Sequence, residues 1–262
     1  MAPLPPPPPA RIPPPPPPPS AAASDAWVSH TYDHSVSTWG IGDALISMLI
    51  FFVMSFALGF LALGVGGGDL NGAWLPTAVV VPALIQFGYV AWVANARGRG
   101  LAKDLQFRIR FSDIATGAGI CLIGLILAGI TATAIFHLFD QEPTATAAEL
   151  LQDAEGESGL TIWIYLMAIL AATVIPIVEE VVFRGLWWSA FEKRGMHPVL
   201  TLTVTSAIFA VVHLEPIRTP VLFVLGMAIG LGRLVTGRVA ASIAAHMYVN
   251  SIAMIFLLIE LS

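Results

Sequence analysis

The chain has 262 residues, of which 56% are hydrophobic and only 11% charged, with a mean hydropathy of +0.81. A soluble domain carries about 25% charged residues, so this composition excludes a soluble globular protein and implies a polytopic membrane protein. The net charge of −5 says less than where the charges sit, and the single cysteine, Cys121, excludes an intrachain disulfide.

Residues 1–38 are read as a disordered, proline-rich cytoplasmic tail. Its run PLPPPPPARIPPPPPPPS favours solvated polyproline and cannot build a core. No basic start followed by an apolar stretch marks it as a signal peptide. Apolar runs then follow at 41–65, 74–94, 114–139, from 160 onward, 199–214, 219–234 and 239–261. Crossing a bilayer takes roughly 17–25 residues. The fold class is therefore all-α, a membrane helical bundle of about seven transmembrane helices, with the 199–214 run short. Residues 39–159 form the N-terminal transmembrane helices and 160–262 a second unit. Gly226 and Gly230 stand at GxxxG spacing, and Ala240, Ala241, Ala244 and Ala245 open the last run. Small residues let membrane helices approach closely, so the last two spans are expected to pack tightly.

Arg97, Arg99, Lys103, Arg108 and Arg110 follow the second run, Lys193 and Arg194 the fourth, and Arg233 and Arg238 flank the last turn. The alternate loops are acidic: Asp69 in the first, then Asp140, Glu142, Glu149, Asp153, Glu155 and Glu157 without a basic residue. Only Arg218, beside Glu215, breaks the alternation. The positive-inside rule places the N-terminus in the cytoplasm and the C-terminus outside. The expectation is a multi-pass protein of the plasma membrane, with the lipid bilayer as its surroundings and no nucleic-acid partner.

Three polar clusters interrupt the later runs: Glu179, Glu180 and Arg184 in IPIVEEVVFRGLWW; His213 in FAVVH; and His246 and Asn250 in HMYVN. Charge at bilayer depth is expensive, and such residues mark functional sites by default. Counting 1.5 Å per residue from the adjoining basic turns, Glu180 and His213 lie about 24 Å in, His246 about 15 Å and Asn250 about 21 Å. Three helices thus bring polar groups to a similar level, nearer the cytoplasmic side. Glu180 and Arg184, at i and i+4, can pair. That leaves Glu179 without the arginine, as a base for proton transfer. His246 and Asn250 share a helix face, and Phe209 packs one turn before His213. Pro176 removes a backbone donor and predicts a bend that admits water near Glu179. A lone intramembrane His or Asn is often interhelical glue; the convergence of the set argues against that bland reading. His30, His34, His137 and His197 are read as incidental, and Trp187 and Trp188 as interfacial or packing residues.

EEVVFR, FAVVH and HMYVN resemble, in order and spacing, the EExxxR, FxxxH and HxxxN motifs of the CPBP family of CAAX prenyl endopeptidases and bacteriocin-processing (Abi) proteins. The resemblance covers residues 160–262, which it reads as a catalytic transmembrane core. It implies an intramembrane endopeptidase acting on membrane-associated proteins or peptides, prenylated CAAX-type chains among them. By it, Glu179 activates water, His213 holds that water, His246 and Asn250 stabilise the oxyanion, and Glu180 and Arg184 orient the site. Zinc on Glu179, His213 and His246 is the alternative. The residues supply a metal-free glutamate mechanism without it, so no cofactor is required in the preferred reading. Two rivals stand beside the peptidase. One is a non-catalytic scaffold or bacteriocin-immunity protein of the same fold. The other is a proton-coupled transporter, against which stands the absence of an inverted repeat.

Overall fold

A long apolar run in a bilayer has no solvent for its backbone polar groups, so it satisfies them internally as a helix. The computed structural model describes residues 37–65, 72–140 and 160–262, and every regular element there is helical. In chain order α1 spans Ile41–Val65, α2 Trp74–Ala96, α3 the single turn Leu101–Asp104, and α4 Phe111–Phe139. The fourth run is divided into α5 Ile162–Ala172, α6 Val174–Glu180, a π-helical segment Val181–Trp187, and α7 Trp188–Glu192. Three further helices follow: α8 Pro198–Val212, α9 Thr219–Thr236 and α10 Val239–Glu260.

Among the described residues six stretches are long and apolar enough to cross a membrane, the divided fourth run counting as one. The seventh expected span is α8, a shorter apolar helix of 15 residues. At 1.5 Å per residue it rises about 22 Å, less than a hydrocarbon core of about 30 Å. The tail as far as residue 36, with His30 and His34, lies outside the described residues, as do Asp69 and the acidic residues Glu142 to Glu157.

The fourth run is the most buried of the six spans. Val178, Val181, Val182, Phe183 and Leu186 form the middle of the main core, packed by residues of α1, α2, α8, α9 and α10. Trp187 and Trp188 belong to this interior rather than to an interfacial belt; Trp188 Nε1 donates to Glu192 Oε1 at 2.7 Å. α4 lies against both α9 and α10, and α8 against α9.

The small residues serve different contacts from those expected. α9 and α10 do pack together, but through Gly232, where an added Cβ would sit 2.6 Å from Ser242 N. The Ala244–Ala245 step instead receives Gly117 of α4. Gly226 and Gly230 face away from α10, toward α8 and Arg184.

The basic loops meet at one end of the bundle. Arg97 pairs with Asp43, and Arg238 with Asp113. Lys193 Nζ donates to Trp39 O at 2.6 Å and to Ser37 O at 3.1 Å. Trp39 Nε1 donates to Asp104 Oδ2 at 3.1 Å, and Val239 N to Gln106 O at 3.1 Å.

Candidate active site

The fourth run breaks where its sequence forbids a continuous helix. Pro176 has no N–H, and its ring would clash with the carbonyl of Ala172, four residues earlier. Thr173 takes the irregular conformation, φ −125° and ψ −68°, and its Oγ1 donates to Ile169 O at 2.6 Å. The break leaves carbonyls of the last α5 turn without intrahelical donors. Asn250 Nδ2, from α10, donates to one of them, Ala171 O, at 2.9 Å.

Past the break, α6 carries Glu179 and Glu180 straight into the π-helical segment. Single π-helical turns inside α-helices often mark functional sites. Arg184 lies within it, and its Nη1 donates to Glu180 Oε1 at 3.0 Å, with both side chains 0% exposed. The same Glu180 oxygen lies 2.9 Å from His246 Nδ1. Glu180 is thus bound from two sides and reaches no solvent.

Glu179, one residue earlier, points elsewhere. Its side chain is 25% exposed, with Oε1 4.0 Å from His213 Nε2 and Oε2 3.6 Å from His246 Nε2. His213 caps the C-terminal end of α8, and its Nδ1 lies 2.6 Å from Phe209 O. A carbonyl only accepts, so Nδ1 is the donor in this contact, and Nε2 is turned toward Glu179. Phe209 packs edge-on against His213 at 4.7 Å and His246 at 5.8 Å between ring centroids. It also lies under the Arg184 guanidinium at 5.0 Å.

Of the six residues expected at the site, five form one connected group: Glu179, Glu180, Arg184, His213 and His246. Asn250 stands one helical turn from His246 and commits one amide N–H to the α5 break. Sequence reasoning missed the wall facing Glu179. A cavity of about 400 Å³ is lined by Phe51, Phe52 and Phe56 of α1, Val79 of α2, and Phe183, with Glu179 and His213 at its polar edge. No pattern distinguishes those phenylalanines from lipid-facing ones in an all-apolar run. The zinc alternative needs Glu179, His213 and His246 gathered about one point. Glu179 stands 4.0 Å from His213 Nε2 and 3.6 Å from His246 Nε2, and among the described residues no three His, Cys, Asp or Glu side chains are gathered as a metal-holding group.

Helices long and apolar enough to span a membrane, joining one buried and one partly exposed carboxylate to two imidazoles, define a class: a multi-pass membrane protein with a carboxylate–imidazole cluster within its helical bundle. Residues 161–252 match the family described as Rce1-like, type II CAAX prenyl endopeptidase Rce1-like. The matched stretch runs from the start of α5 into α10 and contains all six candidate residues. It agrees with the CAAX-protease resemblance drawn from the motifs, and it supports an intramembrane endopeptidase acting on a peptide or protein substrate. No curated protein and no solved structure matches the chain.

Proposed function

We propose that the protein is a glutamate-dependent intramembrane endopeptidase for membrane-associated, apolar or lipidated substrates. The observation that carries this reading is Glu179, a partly exposed carboxylate flanked by two imidazoles at 3.6 and 4.0 Å and opening on an apolar cavity. With His213 as the neutral Nδ1–H tautomer, Glu179 Oε1 and His213 Nε2 are both acceptors, and together they can take the two hydrogens of one water. Glu179 removes a proton as the water oxygen attacks the scissile carbonyl carbon. With Nδ1–H on Glu180, His246 acts in this scheme as an imidazolium whose Nε2–H donates to the resulting oxyanion, and the second N–H of Asn250 is the other candidate donor. The C–N bond then breaks, and Glu179 returns its proton to the leaving amine.

Supporting the substrate class is the lining of the cavity. Aromatic and branched side chains beside the carboxylate suit an isoprenoid or another apolar segment, as in a prenylated CAAX-type chain. The charge alternation of the loops supports a cytoplasmic N-terminus.

The test is cleavage of a library of lipidated and unlipidated peptides by the purified full chain in detergent. Wild type is run beside Glu179→Gln, each with and without a chelator. Cleavage lost in the variant and retained under chelation is expected. Cleavage restored only by zinc would replace the metal-free mechanism. Identical behaviour of wild type and variant across a broad library would return the protein to the scaffold reading.

A further inference from the structure

Gly226 and Gly230 of α9 read in sequence as a helix-packing pair, yet both face the buried arginine of the candidate site. Arg184 Nη2 donates to Gly226 O at 2.6 Å. A Cβ built on Gly226 would stand 3.2 Å from the Phe209 ring, 3.2 Å from Ser206 Cβ and 3.4 Å from Arg184 Nη2. One built on Gly230 would meet Leu202 at 2.3 Å and Arg184 Nε at 3.4 Å. A Cβ at either glycine would meet the guanidinium itself only at ordinary contact distance; the tight contacts fall on its neighbours, the Phe209 ring and Ser206 for Gly226 and Leu202 for Gly230.

From the guanidinium a single line of contacts reaches the chemistry. Arg184 Nη1 holds Glu180 Oε1 at 3.0 Å, and the same oxygen holds His246 Nδ1 at 2.9 Å. His246 Nε2 then faces Glu179 Oε2 at 3.6 Å. A fully buried ion pair is tolerable only when its geometry is good and its remaining donors are satisfied. The Gly226 carbonyl supplies a partner for Nη2, a charge-assisted bond stronger than a neutral one, while Arg184 Nε and Glu180 Oε2 are buried without a hydrogen-bond partner among the described residues, so the pair has few contacts to hold it. Phe209 stacks on the same guanidinium and touches both histidines, so anything that moves Arg184 also moves their shared neighbour.

We propose that Gly226 and Gly230 form a positioning cradle on α9 that sets the direction of His246 through Arg184 and Glu180. The effect on turnover rests on the peptidase reading; the effect on His246 does not. The experiment uses full-length protein in detergent with 15N-labelled histidine, and the His246 ring signals are assigned by their loss in His246→Gln. In Gly226→Ala the His246 nitrogen resonances are expected to shift. With a cleaved peptide kcat should fall about tenfold or more at little-changed KM, since small misplacements at a site cost this much. Gly124→Ala is the control, because its Cβ would press Ala228 at 3.2 Å on the α4 side of the same helix; it should leave both readouts at wild type. If Gly226→Ala does not fold, Gly226→Ala combined with Ser206→Gly removes one of its two tight contacts and keeps the one on the Phe209 ring, and a smaller shift of the same resonances is expected. Unchanged His246 signals, or an equal change in Gly124→Ala, would overturn the cradle. A wild type that cleaves nothing would sink the peptidase reading while the resonances still decide the cradle.

Discussion

At residue scale the site turns on two adjacent glutamates given opposite surroundings. Glu180 is sealed between Arg184 and His246, while Glu179 meets the cavity and has no arginine contact. Sequence spacing predicts this division, because a step of one residue turns a helix by about 100° and only Glu180 is i−4 to Arg184. The energetic consequence can be tested apart from the catalytic one. Removing one partner of a buried pair leaves the other charge uncompensated and costs about 3–5 kcal/mol, whereas replacing both with apolar groups can be neutral or better. Arg184→Met should therefore lower the unfolding midpoint in detergent sharply. Glu180→Leu combined with Arg184→Met should recover most of it and still cleave nothing, because His246 has lost its partner. A double variant that recovers stability and activity together would show that the pair serves packing alone.

At the scale of elements, the broken fourth run makes the site possible. The break frees the Ala171 carbonyl for Asn250, tying α10 to α5 on the far side of the carboxylates. Pro176→Ala restores the missing N–H and removes the ring clash, so α5 and α6 can join as one helix and Ile175 N can reclaim the Ala171 carbonyl. The expected result is an unchanged or slightly raised melting temperature with kcat down by about tenfold to a hundredfold, the range for a misplaced catalytic group. A straightened, fully active enzyme would assign the break to membrane fit instead. The bend was legible because proline is a local and strong signal. The π-helical segment behind it was not, since Val181–Trp187 carries no residue that demands the wider turn; packing against α1, α2, α8 and α10 accompanies it. The polar residues of the site were legible for the opposite reason to its phenylalanines: charge in an apolar run is conspicuous, whereas a cavity wall and a lipid-facing surface are built from the same residues.

At the scale of the whole molecule, the N-terminal helices and the site-bearing half are fastened together at the basic end. Asp104 is fully buried there and accepts from Arg99 N at 2.9 Å, Trp39 Nε1 at 3.1 Å and Arg99 Nε at 3.2 Å. Lys193, next to α7, covers the other face of Trp39 at 3.9 Å and holds its carbonyl. Residues far apart in sequence thus share one side chain, and the phenylalanines of α1 are held opposite Glu179 partly through this fastening. Burial pushes the Asp104 carboxyl upward, but the hydrogen bonds from the Arg99 backbone, Trp39 and the Arg99 side chain outweigh it and leave its pKa below the ordinary value. A carboxyl whose folded-state pKa is depressed contributes stability that is complete above its unfolded value, about 3.9, and is lost as pH falls through the lower folded value. Wild type should therefore melt higher than Asp104→Asn at pH 6, by about 1–3 kcal/mol for the lost charged acceptor. The gap between them should close as pH falls below about 4. Because the fastening also sets where α1 lies over the site, Asp104→Asn should cost more turnover on bulky apolar substrates, which need the cavity, than on short polar ones. A pH-independent gap would remove the carboxylate from the account, and an equal loss on both substrate types would separate the fastening from the cavity.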